Sequence, residues 1–161
     1  MTDNKIKIYF DILEANLRKN MDCSEDIRKL SQMSVCDDAN VRQRVSWCIA
    51  KMGQNKVSDV RIVNILFLMR NDSDSQIREN VAWGIGEVAG AGIGNNDSVS
   101  AVLHLMSDHD SSVRAMAAWA AGRLRHKLRI DGGITKKLRD LENDSSSYVR
   151  KCVEFALSDE I

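Results

Sequence analysis

Residues 72–88, DSDSQIRENVAWGIGEV, return 36 positions later as residues 108–124, DHDSSVRAMAAWAAGRL. The same ruler runs through the rest of the chain. Arg42, Arg78, Arg114 and Arg150 lie 36 residues apart, each preceded by Val41, Ile77, Val113 or Val149. Five places after each comes Trp47, Trp83, Trp119 or Phe155. A fixed period of roughly 20–50 residues marks a supersecondary unit stacked on copies of itself, because one unit cannot bury its apolar face alone.

Each unit carries two patterns of helical period. Leu30 and Met33, Leu66 and Met69, Val102 and Leu105, and Leu138 and Leu141 share one face of a first helix. Val41, Val45, Ile49 and Met52 recur as Ile77, Val81, Ile85 and Val88, then as Val113, Ala117, Ala121 and Leu124, defining a second amphipathic helix. The turns between them, CDDAN, DSDSQ, DHDSS and DSSSY, offer side-chain oxygens to the free N–H groups that open the second helix. Between repeats, GQNKVSD, AGAGIGNNDS and IDGG are expected to stop one helix with glycine and start the next at Ser58, Asp97 or Asp131.

The spacing therefore predicts an all-α, right-handed α-solenoid filling residues 1–161 as one domain. Residues 1–20 hold an N-terminal capping helix, and 22–57, 58–93, 94–129 and 130–161 are four αα-hairpins. Counting back 36 places puts Tyr9 and Leu13 at the offsets of Val45 and Ile49, while Ile6, Phe10, Leu13 and Leu17 share a face that can cover the first hairpin. At the other end, the small residues Ser46, Ala82 and Ala118 give way to Glu154, which suits a solvated last repeat.

Composition narrows the function. The formal net charge is zero, so no global field draws the chain to nucleic acid or an anionic membrane. There is no apolar run long enough for a membrane span, and the start, MTDNKIKIYFDILEANL, does not read as a signal peptide. Cys23, Cys36, Cys48 and Cys152 lack CxxC spacing, which suggests reduced thiols and a cytoplasmic setting. The absence of proline fits a nearly all-helical chain.

The two quoted segments resemble HEAT repeats, specifically the subclass found in phycobilisome lyase-like proteins, whose pattern is D-P-D-x-x-V-R-x-x-A-A-x-A-L-G-x-L. The resemblance covers roughly residues 22–161. It implies an aspartate paired with the arginine six places later: Asp72 with Arg78, Asp108 with Arg114 and Asp144 with Arg150. The first copy departs, with Cys36 where the aspartate belongs and Asp37 and Asp38 as substitutes. The subclass's proline is replaced by Asp37, Ser73, His109 and Ser145. The resemblance bears strongly on fold and weakly on function, since such repeats serve adaptors, lyase subunits and other roles.

On a helical wheel the arginines lie about 65° from the core direction and face a neighbouring repeat, whereas the tryptophans lie about 155° away. A structural ladder is the favoured reading of Arg42, Arg78, Arg114 and Arg150. In HEAT-like solenoids the tryptophan side lines the concave surface. There Trp47, Trp83, Trp119 and Phe155 would form a row at about 10 Å spacing. Such a row is a platform for a peptide, an apolar ligand or a stacked base, or else packs over small residues such as Gly86 and Gly122.

Lys51, Glu79, Glu87, Arg123, Lys151 and Asp159 fall on the same stripe. Glu79 and Glu87 flank Trp83 at i±4, a box that could hold a basic side chain unless cations of adjacent repeats fill it. The basic run GRLRHKLRI at 122–130 lacks interleaved aromatics and reads as a solvated helix end. GAGIG at 90–94 follows no strand and precedes no lysine–serine pair. His104, His109 and His126 occupy unrelated offsets, so no metal or other cofactor is expected, and no catalytic residue emerges. The expected function is a non-catalytic scaffold for a protein or peptide segment. A bilin lyase-like subunit and a nucleic-acid binder are the alternatives, and Ile8 and Ile12 mark a candidate homodimer contact on the first helix.

Overall fold

The computed structural model describes residues 3–158. Among these, nine α-helices follow one another without a strand: α1 Asp3–Arg18, α2 Ile27–Met33, α3 Ala39–Gln54, α4 Val60–Met69, α5 Ser75–Gly90, α6 Asn96–Leu105, α7 Ser111–Leu128, α8 Ile134–Asp140 and α9 Ser147–Leu157. A single 3-10 turn, Ser24–Asp26, precedes α2. The chain is an α-solenoid: α1 stands alone, and α2–α3, α4–α5, α6–α7 and α8–α9 are hairpins. The second helices α3, α5, α7 and α9 pack side by side along the molecule.

Each second helix opens at the oxygen-bearing residue the turn provides. Asp38, Asp74 and Asp110 accept from Asn40, Gln76 and Ser112 N–H, and Ser146 accepts from Val149 N–H. The first helices differ from expectation. Asp59 rather than Ser58 caps α4, and Asn95 rather than Asp97 caps α6, where it forms a capping box with Ser98. Gly133 is the cap of α8, while the Asp131 carboxylate accepts from Gly133 and Thr135 N–H just before it. Nor does glycine always end the preceding helix. Gly53 lies inside α3, and the left-handed positions after α3 and α7 fall on Lys56 (φ 62°) and Arg129 (φ 57°).

Leu30, Leu66, Val102 and Leu138 from the first helices meet Val45, Val81, Ala117 and Val153 from the second in a continuous buried core. On α1 the buried residues are Phe10, Leu13 and Leu17. Tyr9, placed by the 36-residue offset where Val45 would be, is instead half-buried and donates to Asp26 Oδ1 at 2.8 Å. The rest of the lone helix keeps the register, since Phe10, Leu13 and Leu17 fall at the offsets of Ser46, Ile49 and Gly53, all buried in α3.

Small residues let the second helices approach. Ser46, Ala82 and Ala118 are fully buried, and Glu154 at the same offset is exposed. A Cβ on Gly122 would stand 2.9 Å from Ala156 Cα and 3.0 Å from Ala156 Cβ, against the backbone of α9 itself. Gly122→Val should therefore cost about 1–3 kcal/mol through overpacking. Valine's better helix propensity works in the opposite direction, so a net loss isolates the packing effect. Hydrogen exchange should show α9 deprotected ahead of α3 and α5; uniform loss along the chain would contradict this account.

Candidate functional site

The arginine register is a set of forks with two distinct halves. Nη1 of Arg78 donates to the carbonyls of Asp72 (2.7 Å) and Ser73 (3.1 Å), and Arg42, Arg114 and Arg150 repeat this at their own turns. Nε and Nη2 reach forward into the following repeat. Arg42 takes Asp72 at 2.6 and 3.1 Å, Arg78 takes Asp108 at 2.6 and 3.0 Å, and Arg114 takes Asp144 at 2.8 and 3.0 Å. The expected pairing of each aspartate with the arginine six places later is therefore corrected. Within a repeat the arginine binds the aspartate's backbone carbonyl, and the carboxylate belongs to the arginine 30 places earlier.

This explains the departure at Cys36. Counting 36 back from Arg42 leads to Ile6, so no fork precedes the first hairpin, and only the Cys36 carbonyl is used. At the far end, no carboxylate among the described residues pairs with the forward half of Arg150.

Each ladder carboxylate also accepts from the backbone N–H two residues on: Asp74, Asp110 and Ser146. Burial would raise Asp72 and Asp108, but the guanidinium and this N–H outweigh it and hold both below the usual carboxylate range. At Asp144 the Arg114 hydrogen bonds dominate and lower it likewise.

The register carries Trp47, Trp83 and Trp119 on one face of successive second helices, and all three are half-buried. Phe155 continues the row and is 42% exposed. Trp119 lies directly over Gly86, filling the space where a side chain would stand. Trp83 Nε1 donates to Glu87 Oε1 at 3.0 Å. The Arg123 guanidinium sits 5.5 Å from the Trp119 ring, donates to Gly86 O and lies 3.9 Å from Glu87. Packing and exposure coexist on each ring, so the two readings of the tryptophans are not alternatives. Asp159, on the same stripe, lies outside the described residues.

Next to Trp47 is a cavity of about 300 Å³ lined by Glu14, Arg18, Gln43, Arg44, Gln76 and Asn80. Its Arg18 guanidinium stacks 4.9 Å above the Trp47 ring. Arg18 and Glu14 come from α1 and fall at the offsets of Gln54 and Ala50, not at the i±4 positions that make up the tryptophan stripe, so the sequence alone did not single them out. The box considered around Trp83 is filled from within the protein, the other of its two readings. Glu87 is turned to the indole and Arg123, and Glu79 accepts from Ser112 Oγ at 3.1 Å.

Other candidates separate. In the basic run, Arg125 is spent on Ala156 O of α9 and faces Asp131, just after the end of α7. GAGIG is the turn between α5 and α6. Among the described residues, no group of three or more His, Cys, Asp or Glu side chains is placed to hold a metal ion. All four cysteines are free, and burial pushes the thiols of Cys23, Cys48 and Cys152 up, away from the thiolate a nucleophile needs.

Stacked αα-hairpins joined by a side-chain ladder, with an aromatic row along the second helices, define a helical-repeat solenoid. Residues 62–158, more than half of the chain, match the HEAT repeats family, and the chain belongs to it. Among curated proteins, none matches the chain in sequence. A designed armadillo repeat protein in complex with the peptide (KR)4 superposes with a TM-score of 0.69, covering 94% of this chain and 74% of that one at 18% identity. Two engineered proteins from the Northeast Structural Genomics Consortium give TM-scores of 0.66 over 81% of this chain, at 20% and 22% identity. The chain spans 60% and 62% of their lengths. At these identities the likeness is one of fold. No helix among the described residues is long and apolar enough to cross a membrane.

Proposed function

We propose that the protein is a non-catalytic interaction scaffold, which holds an extended segment of a partner protein in a concave groove along α3, α5, α7 and α9. The observation that carries this reading is the row of partly buried Trp47, Trp83 and Trp119 and exposed Phe155, one on each second helix, with a cavity at its Trp47 end. Rigid aromatic rings give contact area at low entropic cost, which is why they dominate binding hot spots. The designed armadillo repeat protein, solved with a bound peptide, lends this fold-level support.

Indole emission reads the groove directly. Octapeptides selected from a random library should shift it, and the triple variant Trp47→Ala, Trp83→Ala, Trp119→Ala should lose them by roughly a hundredfold, as several hot spots together would require. Circular dichroism must show that variant still helical. Undiminished capture by a folded triple variant would sink the groove reading.

The finer kinship with phycobilisome lyase-like proteins rests on the sequence pattern, and no side-chain geometry favours a tetrapyrrole over a peptide. Net neutrality weighs against nucleic acid. The four free thiols support a reducing, cytoplasmic setting. Ile8 and Ile12, both exposed on α1, are the surface through which a second copy would dock.

A further inference from the structure

The groove's accessible charge is not its formal charge. Glu14 accepts from Arg44 Nε at 2.7 Å, lies 3.5 Å from Arg18, and is only 17% exposed. Glu87, 16% exposed, is held by Trp83 Nε1 and faces Arg123, and Glu79 takes the Ser112 hydroxyl. Among the described residues, the stripe's carboxylates are thus engaged by the protein's own donors, Glu87 by Trp83 and Arg123, and Glu79 by Gln76 Nε2 and the hydroxyl of Ser112 that it shares with Asp110.

The cations are less engaged. Arg18 is 61% exposed, its guanidinium 4.9 Å from the Trp47 ring, and Nη2 alone reaches a carboxylate, Glu14 at 3.5 Å, so further N–H groups remain to donate. Lys51 bonds a neutral partner, Gln54. Lys151 is exposed one turn before Phe155. Among the described residues, neither lysine has a carboxylate within ion-pair distance.

Resting on the groove reading above, we infer that the bound segment is acidic: carboxylates meet Arg18, Lys51 and Lys151, and apolar side chains between them seat against the aromatic row. Carboxylate–guanidinium hydrogen bonds are charge-assisted and among the stronger ones available at a half-exposed site. Successive second helices about 10 Å apart span about 30 Å from α3 to α9. An extended chain advancing about 3.3 Å per residue crosses that in roughly nine residues. Three cations spaced along a chain of zero formal net charge do not make the continuous basic track that nucleic-acid binding, through summed phosphate neutralisation, depends on.

The test compares labelled (Glu-Leu)4, (Lys-Leu)4, (Ser-Leu)4 and an octathymidylate by fluorescence anisotropy at low salt. (Glu-Leu)4 should bind tightest, and Arg18→Glu should weaken it by about tenfold or more while strengthening (Lys-Leu)4, as reversal of a complementary charge requires. Arg18 is exposed, so unchanged melting of the variant verifies its fold. Preference for (Lys-Leu)4 with loss in the tryptophan variant would overturn the acidic assignment and leave the groove reading standing. Octathymidylate binding tighter than every peptide would overturn it in favour of nucleic acid. Equal, tryptophan-independent binding of all probes would end both readings.

Discussion

Arg78→Ala should destabilise the protein by about 3–5 kcal/mol, the cost typical of leaving one member of a buried ion pair without its partner. Arg78 and Asp108 side chains are each 6% exposed, and the substitution removes two hydrogen bonds forward to Asp108 and two back to the Asp72 and Ser73 carbonyls, besides a 3.4 Å contact with His109 Nε2. Asp108 would keep Asp110 N–H but stand as a buried, uncompensated charge. Urea titration of the wild type, Arg78→Ala, and Arg78→Met with Asp108→Leu should show the double variant recovering much of the loss. A loss below 1 kcal/mol for Arg78→Ala would place this pair with surface ion pairs instead.

The pH dependence has a definite sign. Asp72, Asp108 and Asp144 titrate below the usual carboxylate range in the folded protein. Their contribution is therefore fully present above the unfolded-state value, near 4, and is lost as pH falls through the depressed folded values. Wild-type stability should drop from pH 5 towards pH 2. The deficit of Arg78→Ala should shrink over the same range, because protonation relieves the stranded Asp108.

Phe10→Ala should cost a comparable amount, about 3–5 kcal/mol, by opening a cavity at a fully buried ring. Phe10 joins Leu13 and Leu17 in the face of α1 that covers the first hairpin, and Arg44 lies 4.9 Å over its ring while pairing with Asp11 and Glu14. Loss of the ring should loosen α1 alone. The measurement is thiol labelling of Cys48, fully buried in the native fold, which should accelerate at denaturant concentrations where the overall helical signal is unchanged. Labelling only in step with global unfolding would mean that α1 and the repeats form one cooperative unit.

The hairpins were legible because burial repeats. Val45, Ile49 and Met52 declare a helix face wherever their spacing recurs, and four copies remove the ambiguity of one. The ladder was legible as a set of residues and misread as a set of bonds. Asp72 stands six places before one arginine and 30 after another, and sequence cannot tell which reaches its carboxylate and which its carbonyl. The Glu79–Trp83–Glu87 stripe stayed open between a free box and one filled by a neighbouring cation for a related reason. Helical phase shows which residues share a face, whereas the rotamer that turns Glu87 onto its own indole depends on Arg123 from the next repeat. Arg18 carried no signal, since counting on 36 places puts it at the offset of Gln54, not among the i±4 neighbours that make up the tryptophan stripe.

The forward reach of each fork gives the molecule a direction of growth. A hairpin appended after α9 would find Arg150 already held by the Asp144 and Ser145 carbonyls, and would need to bring just one aspartate, provided Glu154 became small. A hairpin inserted before α2 would need an arginine of its own and a replacement for Cys36. Lengthening by tandem duplication, in a laboratory or in a genome, therefore finds half of its next fork ready at one end and none of it at the other.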